Sequence, residues 1–307
     1  MKRPTIAPGI VGVVVAGVLA GAALLAHPQA GGDVERTVYF TARTQSGAHV
    51  ANLTAADLQV VEGGRRRQIL HVGPSDARLK VCLAIDEALA ADDLIRQAAL
   101  RFVEQLQGSA DIALYLSGHG NAKLVDYTAD PRPLQQAIRT FPRRAQGGGN
   151  LVESLYELAR SQRSLEGRRA IVMLASEIPQ RLTVTADGVL DQLRDNGTAL
   201  YAVTLVGPAG TIPPPTPEMA HLETMDEVER DRALNDGTRQ SGGLRLAAMR
   251  GDDFPAALDR IRAALQFQYR LSYLVPAGSK SDGRVSIATT RKGVTIHGPR
   301  QLPRIQN

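Results

Sequence analysis

"KVCLAID", residues 80–86, decides the fold. It is an apolar run too short for a buried helix, and it ends on an acid. Three more runs of the same kind follow: "DIALYLS" (111–117), "RAIVMLAS" (169–176) and "ALYAVTLV" (199–206). Continuous apolar runs without polar alternation are what strands look like when both faces of their sheet are covered. Between them lie helical patterns. In "DDLIRQAALRFVEQLQG" (92–108), Leu94, Ala98, Phe102 and Leu106 recur at helical spacing, beside Ile95, Ala99 and Val103. Asp92 and Asp93 favour its N-terminus, and Gly108 ends it. "LVESLYELA" (151–159), "GVLDQLRDNG" (188–197) and "DDFPAALDRIRAALQFQ" (252–268) repeat the pattern. Strands alternating with amphipathic helices predict a doubly wound α/β fold with a mostly parallel sheet. A Pro-rich stretch, "GPAGTIPPPTPEM" (207–219), is expected to be an extended loop.

The ends of the chain read differently. "ERTVYFTARTQSGAHV" and "DLQVVEGGRRRQILHV" alternate, the second around Gly63-Gly64, which is hairpin chemistry. "QYRLSYLVP", "GRVSIATT" and "GVTIHG" alternate again near the C-terminus. Three strands at either end are marginal alone. The economical expectation is a small β-sandwich formed by N- and C-terminal strands, with the α/β region between them. The expected boundaries are 1–32 for a leader, 33–76 for an N-terminal β segment and 77–250 for the α/β domain. A closing helix takes 251–267, and 268–307 is a C-terminal β segment pairing with 33–76.

Composition sets limits. The 307 residues are 43% apolar and 22% charged, ordinary for a globular chain. Trp is absent, so the core is built from Val, Leu, Ile and Ala. The formal charge of +5 shows no basic stripe interleaved with aromatics, so nucleic acid is not expected as a partner. Lys2 and Arg3 precede an apolar run at 10–26, the pattern of an export signal, favoured slightly over an uncleaved membrane tether. Either leaves the remainder outside the cytoplasm: periplasmic, secreted or membrane-anchored. The single cysteine, Cys82, lies inside an apolar run and reads as a small core hydrophobe.

In an open α/β sheet, ligands sit beyond the carboxyl ends of the strands. Here those ends are Asp86-Glu87, the glycine-rich "GGGN" with Gly148, Gly149 and Asn150, and Ser176-Glu177. The order of "LTAADLQVVEGGRRRQI" (53–69), "LQGSADIALYLS" (106–117), "LVDYTADPRPLQQAI" (124–138) and "GGGNLVESLYELA" (147–159) resembles the von Willebrand factor type A (VWA) family. "QSGGLRLAA" (240–248) and "ALDRIRAALQFQYRLSYLVP" (257–276) extend the likeness, which is nearest to the bacterial VWFA-related group of exported proteins. The resemblance implies a metal-ion-dependent adhesion site of Asp-x-Ser-x-Ser, a Thr and an Asp. At those positions this chain has Asp86, Ala88, Ala90, Gly149 and Ser176. Only Asp86 retains its group, so no cofactor is expected and Mg²⁺ is disfavoured, because Mg²⁺ demands near-octahedral oxygen ligands.

These residues lead to an expectation of a non-catalytic, exported protein that binds another protein through its top-edge loops (86–92, 147–150, 176–181 and 207–217), with Arg143, Arg144 and Arg181 as a positive rim. Two alternatives remain open. "ALYLSGHGN" resembles the histidine motif of caspase-like cysteine peptidases, with His119 as base and Cys82 as thiol. In that family, however, the cysteine follows the histidine and ends a strand. The other alternative is a metal-dependent adhesion module with atypical ligands, drawn from Asp86, Glu87, Ser176 and Glu177.

Overall fold

In the computed structural model, residues 33–118, 120–141, 150–176, 183–206 and 217–305 are described, those of 217–224 by their backbone alone. The described chain opens with β1 (Val34–Thr44), β2 (Leu58–Glu62) and β3 (Arg65–Pro74). Glu62 pairs with Arg65 across the β2–β3 turn, and Gly63 and Gly64 take φ of 57° and 75°. A two-residue hairpin turn of this hand needs positive φ at both positions, which glycine adopts without steric cost. Next come β4 (Leu79–Asp86), the short α1 (Glu87–Ala90), α2 (Asp93–Gln105), β5 (Ala110–Ser117) and β6 (Asn121–Thr128). They are followed by α3 (Pro131–Arg139), α4 (Leu151–Ser161), β7 (Arg168–Ser176), α5 (Ala186–Asp195) and β8 (Thr198–Leu205). The chain closes with α6 (Pro217–Ser241), β9 (Arg245–Ala248), α7 (Phe254–Gln266), β10 (Tyr269–Val275), β11 (Val285–Thr289) and β12 (Val294–His297).

The middle strands form one sheet in the order β6-β5-β4-β7-β8-β9. It is parallel except for β6, which runs antiparallel beside β5. Alternate residues of each strand feed opposite faces. Leu79, Val81, Leu83 and Ile85 of β4 pack with α2, α3 and α7. Cys82 and Ala84 pack with α4, α5 and α6 on the other side. Both faces are thus roofed by helices, which is why the strands are apolar throughout. Polar side chains cap the helices that do the roofing. Asp92 accepts from the amides of Leu94 and Ile95, Asp130 from Arg132, and Asn150 from Glu153.

Two expectations are corrected. In α2 the buried face is Ile95, Ala98, Ala99, Phe102 and Val103, while Leu94 is 48% exposed. Leu94 sits in the first turn, at the exposed end of a row whose other members, Ala98, Phe102 and Leu106, are buried. The Pro-rich stretch 207–219 is not a loop to its end: Pro217 starts α6, the longest helix among the described residues. Proline suits the first turn because its missing N–H has no helical partner there.

The strands from the two chain ends form a second, antiparallel sheet in the order β11-β2-β3-β10-β1-β12. N- and C-terminal strands alternate within it. Its strands surround a core that includes Val38, Phe40, Val60, Leu271, Tyr273 and Val285, and the edge strands β11 and β12 come together. Phe40 stacks on Tyr269 at 5.2 Å between ring centroids. Both sheets belong to the same compact unit, Gly32–Asn307. The chain leaves this sheet at Pro74 and returns at Tyr269, and these two residues are register partners. The Ser75 amide donates to the Gln268 carbonyl at 2.9 Å one step further out. Among the described residues no helix is long and apolar enough to cross a membrane; the apolar run 10–26 lies outside them.

Inside the end sheet, Glu62 is completely buried. Its carboxylate accepts from the Arg36 guanidinium, from the Tyr273 hydroxyl at 2.7 Å and from the Ser281 hydroxyl at 2.6 Å. Arg36 also donates to the Pro303 carbonyl. The ion pair therefore joins β1, β2, β10 and the C-terminal tail. Removing one partner of a buried pair strands the other charge. Glu62→Ala is expected to lower the unfolding free energy by about 3–5 kcal/mol, read from urea denaturation, with Glu62→Gln costing less because it keeps some of the bonds.

Candidate functional site

The carboxyl ends of β4, β5 and β7 meet at one edge of the parallel sheet, where Asp86, Ser117 and Ser176 end their strands. Asp86 is 3% exposed. One carboxylate oxygen, Oδ1, accepts from the Ala88 amide at 3.0 Å and so caps α1. The other, Oδ2, accepts from the Ser176 amide at 3.1 Å and from the Ser176 hydroxyl at 2.6 Å. Beside this pair the Ser117 hydroxyl donates to the Ser154 hydroxyl of α4 at 2.7 Å. Asn121 Nδ2 donates to the Ser154 carbonyl at 3.1 Å and to Glu157 at 2.9 Å. Glu87 is half-buried, and its carboxylate fills the space a Cβ at Gly118 would need.

Of the residues expected at this edge, the structure brings Asp86, Glu87, Asn150 and Ser176 to the carboxyl ends of the strands or the helices that follow them. Only Asp86 and Ser176 are joined directly. Asn150 spends its Oδ1 on the Glu153 amide as the cap of α4. Gly148, Gly149, Glu177, Arg143, Arg144, Arg181, His119 and the loop 207–216 lie outside the described residues.

The donor set can be compared with what a divalent cation requires. Mg²⁺ takes six oxygens at about 2.0–2.1 Å with their lone pairs turned inward. Here Ala88 and Ala90 offer no side-chain oxygen. Asp86 already accepts three hydrogen bonds from its own chain, and the 2.6 Å contact to Ser176 closes the gap an ion would fill. Where the resemblance implies two acids held together by a cation, this chain has an acid and a hydroxyl that satisfy each other. The described residues do not fit the ion. They also contain no group of three His, Cys, Asp or Glu side chains placed to hold a metal.

Cys82 sits in the middle of β4, paired with Ala113 and Ile171 on its neighbours, and it is fully buried on the α4–α6 side of the sheet. Burial pushes its thiol well above the ordinary range. A thiol that stays protonated and has no path to solvent is a poor nucleophile.

What the sequence did not point to lies at the other end of the same strands. Arg168 and Arg169 open β7, and Thr198 opens β8. They line a cavity of about 320 Å³ between the parallel sheet and β1. The local signal was the Arg-Arg pair before an apolar run, which alone reads as a solvated strand start.

Two outcomes are expected from this geometry. Ser176→Ala removes a charge-assisted bond to a buried carboxylate and should cost about 1.5–3 kcal/mol, measured by chemical denaturation. Cys82 should resist iodoacetamide in the native chain and react fully once urea has unfolded it, as followed by intact mass.

No protein-family model matches the chain, and no curated protein does. Among solved structures, it is similar to proximal thread matrix protein 1 from the mussel byssus at 12% identity, covering 67% of this chain and 49% of that one, with a TM-score of 0.45. An aerotolerance-related membrane protein from Bacteroides fragilis shows 15% identity over 60% of this chain and 98% of that one, with a TM-score of 0.41. The vWF domain of the type V pili tip protein Mfa5 from Porphyromonas gingivalis shows 12% identity over 61% and 94%, with a TM-score of 0.43. The matched part spans about half the length of the byssus protein.

Proposed function

We propose that this chain is a non-catalytic interaction protein with a VWA-like α/β scaffold, and that its top edge binds another protein without a divalent cation. The observation that carries this reading is the closed Asp86–Ser176 pair, with Asp86 Oδ2 held by both the amide and the hydroxyl of Ser176. A carboxylate satisfied in this way has no need of a bridging ion and offers none to a partner's acid. Contact then falls to the exposed side chains around it.

Two of those are apolar. Leu94 is the second residue of α2, and Met249 follows the last residue of β9; they are 48% and 66% exposed. Their loops touch, because Asp92 packs against Gly251. Exposed apolar side chains with polar neighbours such as Arg250 and Asp252 suit a protein interface. In this reading residues 1–32 deliver the chain out of the cytoplasm, either as a signal peptide or as an anchor.

The test is capture of a partner by the full chain from a cell-envelope or culture fraction, with EDTA and with millimolar Mn²⁺. The same partner is expected in both, and it should be lost from a Leu94→Glu/Met249→Glu double variant. Capture abolished by EDTA would overturn the metal-free reading. Capture unaffected by the double variant would move the interface elsewhere. A further outcome is expected of Ser176→Asp: it sets two carboxylates against each other, so the variant should be less stable at pH 7. Thermal melts should show stability regained as the pH falls and one carboxyl takes up a proton.

A further inference from the structure

The cavity at the amino ends of β4, β7 and β8 has an unusual balance of charge. Arg168 is 8% exposed and lines it. Its Nε donates to the Ala77 carbonyl at 2.9 Å, and its Nη1 donates to the Leu265 carbonyl at 3.1 Å and to Gln268 Oε1 at 3.0 Å. The Tyr39 ring lies 5.8 Å from its guanidinium carbon. Its Nη2 makes no hydrogen bond within the described residues. Arg169, next to it, donates through Nη1 to the carbonyls of Gln162 and Leu165 at 3.4 and 2.7 Å. Its Nη2 rests beside Gly197, and its buried Nε has no partner among the described residues. Neither arginine forms a salt bridge with a described carboxylate. Glu35 and Asp195 also line the cavity, but both are exposed, and Asp195 is taken by Arg194.

Buried guanidinium normally comes with a carboxylate or phosphate, because neutral carbonyls offset only part of its lost hydration. Burial accordingly disfavours the charge on both arginines, and the Asp76 carboxylate near Arg168 offsets only part of this. A second observation points the same way. Thr198 lines the cavity and is 1% exposed, and its hydroxyl has no partner among the described residues. A buried hydroxyl without a partner costs stability unless something outside the chain meets it. The volume, about 320 Å³, suits a small molecule and is too small for a folded partner.

We infer that this cavity binds a small oxyanion-bearing ligand, a phosphate ester or a di- or tricarboxylic acid, whose anionic group takes the spare N–H donors of Arg168 and Arg169. A guanidinium fork matches either group. The remaining walls, Leu79, Leu193, Leu265 and Pro299, would enclose a short carbon skeleton. Because β1 supplies one wall and β7 and β8 another, the ligand would tie the end sheet to the parallel sheet. The site is independent of the Asp86 edge, which lies at the opposite ends of the strands.

The experiment is titration calorimetry, with a parallel thermal melt, of the full chain against inorganic phosphate and against citrate. Chloride at matched ionic strength is the reference, because salt alone screens charge. One saturable site and a raised melting temperature are expected with at least one probe. A response to phosphate assigns phosphate esters, and a response to citrate assigns carboxylic acids. In Arg169→Gln the affinity should fall on the order of tenfold, as for loss of one charge-assisted bond. Leu124→Ala, on the exposed edge strand β6 and outside the cavity lining, should bind as the parent does. If Arg169→Gln does not fold, Arg169→Lys decides, since it keeps the charge and loses the fork. The inference is overturned if neither probe binds beyond chloride, or if the deciding Arg169 variant binds as tightly as the parent.

Discussion

Pro74 and Tyr269 face each other across neighbouring antiparallel strands, and that pairing governs the rest of the molecule. Nearly all of the α/β region is strung between two points that touch. Its parallel sheet must therefore begin close to the end sheet and run away from it. Leu79, at the start of β4, lines the junction, whereas Asp86 ends the same strand seven residues on. At the rise of an extended chain, that places the two roughly 23 Å apart. The carboxyl edge is thereby left clear of the end sheet, while the amino edge is covered by it. Arg168 secures the seam, reaching the Ala77 carbonyl just before β4 and the Leu265 carbonyl at the end of α7.

The two edges use charge in opposite ways. At the carboxyl edge a buried acid is met by an amide and a hydroxyl from a neighbouring strand and needs nothing more. At the amino edge two cations are hydrogen-bonded only to carbonyls and one amide oxygen among the described residues, with the Tyr39 ring and the charge of Asp76 near Arg168, and donors are left over. Polar groups inside proteins are nearly always paired, so a surplus of donors says more about a missing partner than a satisfied acid does. The edge that the VWA resemblance draws attention to is the quieter of the two.

Much of this fold can be read from the chain because burial on both faces leaves a plain mark. β4, β5, β7 and β8 are apolar throughout since helices cover each side. The Gly63-Gly64 turn was equally legible, because two positive-φ positions leave little choice but glycine. α6 was missed. It is the longest helix among the described residues, and its buried positions Arg230, Ala233, Leu234, Gly237 and Thr238 recur at helical spacing, but only Ala233 and Leu234 carry apolar side chains, so the hydrophobic pattern is faint. Ala98, Phe102 and Leu106 are buried as their spacing suggests, and only Leu94, at the helix end, is exposed, because spacing cannot say where the cover over a row stops. At the site, Asp86 was visible as a strand-end acid. Its bond to Ser176 spans 90 residues of sequence and exists only once β4 and β7 lie side by side. The arginine cavity was invisible for the same reason, since its walls come from both sheets.

The neighbouring positions of Pro74 and Tyr269 also bear on how the molecule would carry load. Pull on residues 33 and 305, and the tension enters β1 and the tail after β12. It is resisted there by the hydrogen-bonded ladders to β10 and β12 and by the Arg36–Glu62 clamp. The α/β region joins this path at the closed pair of strands and again at the tail, where the Arg300 and Gln301 amides donate to the Gln240 carbonyl at the end of α6. Load on the ends would therefore reach the α/β region through that tail contact before the end sheet tears.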